Sequence, residues 1–521
     1  MRIFDTYVQK LKYKVLTELA RQTWVGNDAF SVFNDIANQV VKKGEPTMSC
    51  CIYKDRAIVA ERIRIALGGK KEDHNVIQVI DIACDECPVA GHVVTDLCRG
   101  CVAHACVDAC KLGAITVDSH QKAEIDKSKC VECGKCAKSC PYSAIANFKR
   151  PCERACKVDA ISMAPDGVAQ IDGEKCIECG ACVYKCPFGA TLDVSSITDI
   201  IKTIVDSDNN KNYHVHAIVA PAIAGQFQYA KAGQLISAIR ELGFYAVEEV
   251  ALGADIVAYK EAQELQEKGF LTSSCCPAFV KYIKMKFPQL AEHISHNLSP
   301  MAETGKLIKE QDPDAKIVFI GPCTAKKGEV RKPEVHQYVD YVMTFEELQA
   351  MIDSKDIAVD QLPETELDTA TYYGRVFART GGLSEAVTEA VREQKAAAEA
   401  AKADAPDGAG TSGAVASGEA GASGKPMSAN SEAGKPAAGD GDSADSKPFV
   451  FDPIVCDGID SCKTALLRAS KGLLPNNFIE GMVCTDGCIG GAACLSHGNA
   501  DKRAIDNYGK KASHKEIRDV L

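Results

Sequence analysis

Cysteine spacing constrains this chain more than any other feature. Of its 26 cysteines, sixteen lie between positions 84 and 186. Two runs there share the pattern Cys-x2-Cys-x2-Cys-x3-Cys-Pro: Cys130, Cys133, Cys136 and Cys140 before Pro141, then Cys176, Cys179, Cys182 and Cys186 before Pro187. A compact loop of this spacing wraps three thiolates around one 4Fe-4S cube and sends the fourth to a neighbouring cluster. Zinc is the alternative for any single CxxC pair, but two complete four-cysteine runs favour iron and sulfide. Disulfides fit poorly: two pairs, Cys50–Cys51 and Cys275–Cys276, are adjacent, and a reducing compartment keeps thiols free.

The crossed-ligand rule assigns the rest of the array. Cys130, Cys133 and Cys136 pair with Cys110, while Cys140 joins Cys98, Cys101 and Cys106. Cys152-x3-Cys156 mirrors Cys106-x3-Cys110, so Cys176, Cys179 and Cys182 take Cys156. Symmetry then gives Cys186 and Cys152 the pair Cys84 and Cys87. Three to four clusters are expected. The stretches KLGAITVD, KVDAISMAPDG and FGATLDV follow cysteines as short strands do in two-cluster ferredoxins. The domain moves electrons, which implies a terminal redox site.

A formal net charge of −11 leaves no basic surface for nucleic acid and disfavours anionic membranes. The first residues lack the apolar core and cleavage site of a signal peptide, and no apolar run has the roughly 18 residues of a membrane span. The expected compartment is the cytoplasm. The texture divides the chain into a cysteine-poor leader at 1–80, helical at first and again around 57–67; an α+β ferredoxin-like domain at 81–195; and an α/β domain at 210–392 that resumes at 448–521. In the last, strands such as HAIVAPAIA and AKIVFIG alternate with helices such as AGQLISAIRELGF and FEELQAMID. Residues 393–447, rich in Ala, Gly and Ser without aromatics, read as a disordered insertion whose start, EQKAAAEAAKA, extends the preceding helix.

Five further cysteines fall in three separated motifs, SSCCPAFV at 273–280, GPCTAKKGE at 321–329 and EGMVCTDGCIGG at 480–491. Four thiolates from three loops can hold one cubane and leave one adjacent cysteine as a free thiol. Glycines and a proline let backbone approach a bulky group closely. In order and spacing, the motifs resemble the signature segments of the FeFe hydrogenases. The resemblance implies an H-cluster: a 4Fe-4S cubane on Cys276, Cys323, Cys484 and Cys488, with Cys488 also bridging to a di-iron subcluster bearing carbon monoxide, cyanide and a dithiolate. It further implies that Cys275 passes protons, that Lys326 hydrogen-bonds a cyanide, and that Met482, Ala220 and Pro221 line the pocket. Glu264, Ser299 and Glu329 fall at relay positions to solvent.

The resemblance implies interconversion of protons and dihydrogen, with a ferredoxin or flavodoxin as electron carrier and dedicated maturation proteins for the di-iron group. Gly321 before Pro-Cys, Cys494 after Gly-Gly-Ala-Ala, and an added serine before the Cys pair look more like the group B branch. A hydrogen sensor and an iron–sulfur assembly protein are the competing readings; Cys275 and Lys326 favour catalysis. Cys50, Cys51, Cys456, Cys462 and Cys494 stay unassigned.

Overall fold

The computed structural model describes residues 4–27, 31–44, 51–70, 72–85, 87, 90–403 and 449–521. The α/β domain is built on two small parallel sheets. In the first the order is Ala246–Glu249, Val215–Val219, Lys316–Gly321, Tyr341–Thr344. The run VHAIV of its inner strand is buried throughout, as a strand covered on both faces requires. Parallel neighbours need crossovers, supplied here by helices including Ala232–Glu241, Val250–Lys268 and Pro300–Gln311. The second sheet sets Phe478–Met482 between Leu271–Thr272 and Pro453–Asp457. It thereby brings the end of the chain beside its middle. Loops leave the carboxyl ends of these strands at Ala220, Ser273, Pro322 and Val483, the end where open parallel sheets place their ligands.

The cysteine-rich domain consists of four two-stranded antiparallel ribbons with short helices. Gly91–Val94 pairs Ile145–Phe148, Ile115–Val117 pairs Ala123–Ile125, and Ile161–Met163 pairs Ala169–Ile171. The fourth ribbon joins Ile77–Val79 to Thr191–Asp193, so the supposed leader reaches into this domain. Its first helix, Tyr7–Trp24, starts at a Thr6–Gln9 capping box. The helix buries Leu16, Leu19 and Ala20 against Phe345, Leu348 and Ile352 of the α/β domain. Apolar residues at helical spacing thus make this segment part of the core.

The junction of the three regions holds a buried charge network. Lys12 Nζ lies 2.5 Å from Asp193 and 2.7 Å from Glu346, and Lys327 Nζ lies 2.7 Å from Asp193 and 2.8 Å from Glu347. Although burial raises it, the Asp193 carboxyl is held far below the usual range by Lys12 and Lys327. Removing one partner of such a group strands uncompensated charge. Lys12→Met should therefore destabilise the loaded protein by about 3–5 kcal/mol, read from denaturant unfolding. An unchanged midpoint would contradict the network's role.

Helix Gly382–Ala403 continues through EQKAAAEAAKA, as expected. The reason is specific: Glu393 is buried and accepts from the backbone N–H of Ile517 at 2.7 Å and Arg518 at 3.0 Å. The remainder of the proposed insertion, 404–447, lies outside the described residues, as does Cys50. No helix among the described residues is long and apolar enough to cross a membrane.

Candidate active site and cluster-binding cysteines

One local device recurs four times in the cysteine-rich domain. After Cys110, Cys140, Cys156 and Cys186 the chain turns through a left-handed residue, Gly113, Ser143, Asp159 or Gly189 (φ between 51° and 60°). The N–H of the next residue then points back at sulfur. Ala114, Ala144, Ala160 and Ala190 donate to the respective Sγ atoms at 3.3, 3.4, 3.3 and 3.3 Å. Such donors favour a thiolate. The Cys110 thiol is accordingly held below its ordinary value, chiefly by the Ala114 and Leu112 N–H groups.

The cysteines gather in sets. Cys106 has Cys140 and Cys101 beside it, and Cys136 has Cys130 and Cys133. Cys98, Cys106, Cys110 and Cys136 share one apolar cluster with Ile115 and Ile145. Cys84, Cys87, Cys152 and Cys186 line one small cavity, the set inferred from symmetry alone. There burial, then Cys186, Cys84 and Cys87, push the Cys152 thiol up to about 11. The buried Arg150 approaches Cys84 Sγ to 3.6 Å and donates to the Cys87 carbonyl at 3.1 Å. Cys176, Cys179 and Cys182 stand with Cys156. This set and Cys484 line a cavity of about 910 Å³, which places it next to the α/β site.

At that site three loops converge. Cys276 ends the turn after Leu271–Thr272 and sits at the N-cap of Pro277–Lys286, with proline at the first helical position. Cys323 follows strand Lys316–Gly321, and Cys484 and Cys488 follow Phe478–Met482. Gly487 is needed between them: its φ is +79°, and a Cβ there would meet Thr380 N at 2.7 Å. Burial drives all four thiols up, Cys323 to about 11 and Cys488 to about 12, and each has others of the set as neighbours. Four half-buried thiols facing one another are unfavourable as thiolates without a cationic core. An all-sulfur donor set suits iron–sulfur or another soft centre, so these residues fit a cubane.

Cys275 is buried against Met482, Phe478 and Phe377 rather than turned toward solvent. Burial and the nearby Glu261, Cys276 and Cys488 raise its thiol far above the ordinary value. The buried Lys326 donates to the Cys275 carbonyl at 3.4 Å and pairs with Glu329 at 2.6 Å. Glu329 therefore balances Lys326. Ser299 is buried, and its hydroxyl caps Pro300–Gln311 by accepting from Ala302 N–H.

The carboxyl next to Cys275 is Glu261, which sequence reasoning passed over. It is fully buried on Val250–Lys268, where burial pushes its acid up to about 7 against hydrogen bonds from Ser274 N–H and Ser295. One of its oxygens has no hydrogen-bond partner. One turn on, Glu264 accepts from the Ser295 hydroxyl at 3.2 Å and Asn297 Nδ2 at 3.0 Å, and pairs with Lys268 and the exposed His296. Burial works against Glu264's ionisation, but Lys268 and His296 hold its acid below the ordinary value. Cys275, Glu261, Ser295 and Glu264 thus form a polar file from the buried thiol to the surface. The i, i+3 spacing in EAQE was the available signal.

Two positions singled out by sequence have structural explanations. A Cβ on Gly321 would lie 2.6 Å from the Phe319 ring and 3.2 Å from Ala220 Cβ, so Phe319 fills the space a larger residue would need. Ala220 and Pro221 line a small neighbouring cavity. Cys494 is fully buried, its thiol on the Ile489 carbonyl at 3.2 Å.

Known proteins resemble this chain over both of its cysteine-bearing regions. The iron-only hydrogenase large subunit, C-terminal domain, matches residues 213–492, and a 4Fe-4S dicluster domain matches 97–144 and 150–190. Iron hydrogenase 1 of Clostridium pasteurianum is 30% identical over 308 residues, covering 53% of this chain and 52% of that protein. The periplasmic [Fe] hydrogenase large subunit of Nitratidesulfovibrio vulgaris is 31% identical over 30% of this chain and 42% of its own length. A cytosolic Fe-S cluster assembly factor of Kluyveromyces lactis is 37% identical over 18% of this chain and 20% of its own length. The chain spans about half the length of the first of these relatives and less of the others. A solved [FeFe]-hydrogenase variant of Chlamydomonas reinhardtii aligns with a TM-score of 0.45 at 19% identity, over 63% of this chain and 92% of that one. With its catalytic-domain profile covering more than half of its residues, this chain belongs to the family of the iron-only hydrogenase large subunit, C-terminal domain.

Proposed function

We propose that this chain is an FeFe hydrogenase that interconverts dihydrogen with protons and electrons, on an H-cluster held by Cys276, Cys323, Cys484 and Cys488. The observation that carries the proposal is Cys275. A cubane needs only four thiols, whereas here a fifth buried thiol stands beside a buried carboxyl that leads to the surface. An assembly factor has no evident use for such a file. When bound, the di-iron group supplies the open metal site for dihydrogen chemistry.

The chain's own residues do the rest. Cys275 holds a proton at Sγ, kept neutral by burial. Glu261, poised near neutrality, can accept that proton and release it again, as a relay acid must. Ser295 passes it to Glu264, which exchanges with solvent at His296. Lys326 keeps one buried positive charge at the site, balanced by Glu329, and Met482 excludes water. Cysteine sets 98/101/106/140, 110/130/133/136, 84/87/152/186 and 156/176/179/182 carry four 4Fe-4S clusters, the last handing electrons to the cubane past Cys484. A ferredoxin or flavodoxin is the carrier, and maturation proteins install the di-iron group. Gly321 and Cys494 support a group B-like branch.

The test is hydrogen evolution from reduced methyl viologen by protein matured anaerobically with a di-iron complex. Turnover that depends on the complex is expected. Absence of turnover from fully loaded protein would overturn the catalytic reading and leave a hydrogen sensor, an electron-transfer protein or an assembly protein.

A further inference from the structure

A second cluster of ligand-type side chains lies at the opposite end of the first sheet. His214 and His216 open strand Val215–Val219, Asp312 precedes strand Lys316–Gly321, and Glu248 sits in Ala246–Glu249. His214, His216 and Asp312 mark the amino ends of their strands, with Glu248 reaching them from the neighbouring strand, whereas Ala220 and Cys323 follow the carboxyl ends. Nothing in the hydrogenase reading uses this cluster.

His216 is only 7% exposed. Its Nδ1 lies 2.8 Å from Glu248 Oε1. An ionised carboxylate only accepts, so Nδ1 donates to Glu248 and Nε2 is the ring atom left for another partner. That Nε2 is buried and has no hydrogen-bond partner. It faces Asp312 Oδ2 at 3.9 Å. Two ligand atoms on one zinc ion, each about 2.0–2.2 Å from it, stand roughly 3–4 Å apart. His214 completes the set: its Nδ1 hydrogen-bonds the same Asp312 oxygen at 2.7 Å, a proton that a bound ion would displace, and one ligand atom from each residue falls within 4.8 Å of the others. Tyr245 stacks on the His214 ring at 3.8 Å and fixes its orientation. A carboxylate on the far nitrogen of a histidine is the outer-shell arrangement that orients metal-bound imidazoles.

We propose that His214, His216 and Asp312 bind a divalent transition-metal ion of zinc type, with Glu248 as the outer-shell positioning residue for His216. The two imidazole ligands suit zinc and its neighbours rather than magnesium or calcium. Partial exposure of His214 and Asp312 leaves room for water at the fourth position and a route of entry. The ion ties the amino ends of adjacent strands together, away from the iron–sulfur sites.

The test is a calorimetric zinc titration of anaerobic protein whose iron–sulfur clusters are fully loaded, so that cluster thiols do not compete. One equivalent should bind to the unaltered protein. His216→Gln and Asp312→Asn should abolish that equivalent, and Glu248→Gln should weaken it about 10–100-fold. His214→Gln, at a more exposed position, should also lose it without disturbing the fold. X-ray absorption at the zinc edge should show nitrogen and oxygen neighbours only. No binding, equal binding by the variants, or sulfur around the zinc would each overturn the site.

Discussion

Glu261→Gln is expected to lower hydrogen turnover by about 10²–10⁴-fold, the usual worth of a positioned proton-transfer group. Glutamine keeps the shape and the hydrogen bond from Ser274 N–H but cannot give up and regain a proton at a carboxyl. The file from Cys275 to Glu264 is broken at its buried member, while the thiol set around the cubane is untouched. A stability readout separates this role from a structural one. Burial raises the Glu261 acid to about 7, so the folded state holds this proton more tightly than the unfolded chain, whose carboxyl titrates near 4.3. Glu261 therefore favours folding at pH below that ordinary value, and its contribution is lost as pH rises through about 7. The variant should lose this slope and be relatively more stable at pH 8 than the unaltered protein, even as turnover collapses. Loss of turnover together with loss of fold at every pH would instead make Glu261 a packing residue.

Cys275→Ala should have an effect of similar size for a different reason. The thiol is the group of the file that lies against the cubane cysteines, so its removal separates the reacting centre from Glu261. Alanine leaves a small apolar gap among Met482, Phe478 and Phe377, which Cys276 and its helix should tolerate. Cubane signals in electron paramagnetic resonance should persist. Because both residues serve one path, the double variant with Glu261→Gln should lose little more than either alone, as groups acting as a unit do. Multiplicative losses would mean two independent roles.

The parts of this molecule legible in its sequence are those whose geometry is local. A Cys-x2-Cys-x2-Cys loop closes on one cluster within a few residues, and the repeated Cys-x3-Ala turn places its own N–H on sulfur. That Cys84 and Cys87 line one cavity with Cys152 and Cys186 accords with the internal symmetry of the array. The relay was less legible because it is assembled across the chain. Ser295 reaches Glu264 only because Ile294 bridges Thr272 and Ser295 N–H bonds the Thr272 carbonyl, a pairing no periodicity announces. The capping role of Ser299 was legible, since a serine followed by proline is a helix-start signal. The N-terminal region was underrated for the same reason: the partner of Leu19 lies beyond residue 340.

Infrared spectroscopy of protein matured anaerobically with a di-iron complex tests the central claim most directly, since it reports on the di-iron group whatever the rate of turnover. Bands of metal-bound carbon monoxide and cyanide, present after maturation and absent when Cys488 is replaced by alanine, are the predicted result. A fully iron–sulfur-loaded protein that shows no such bands after maturation would contradict it.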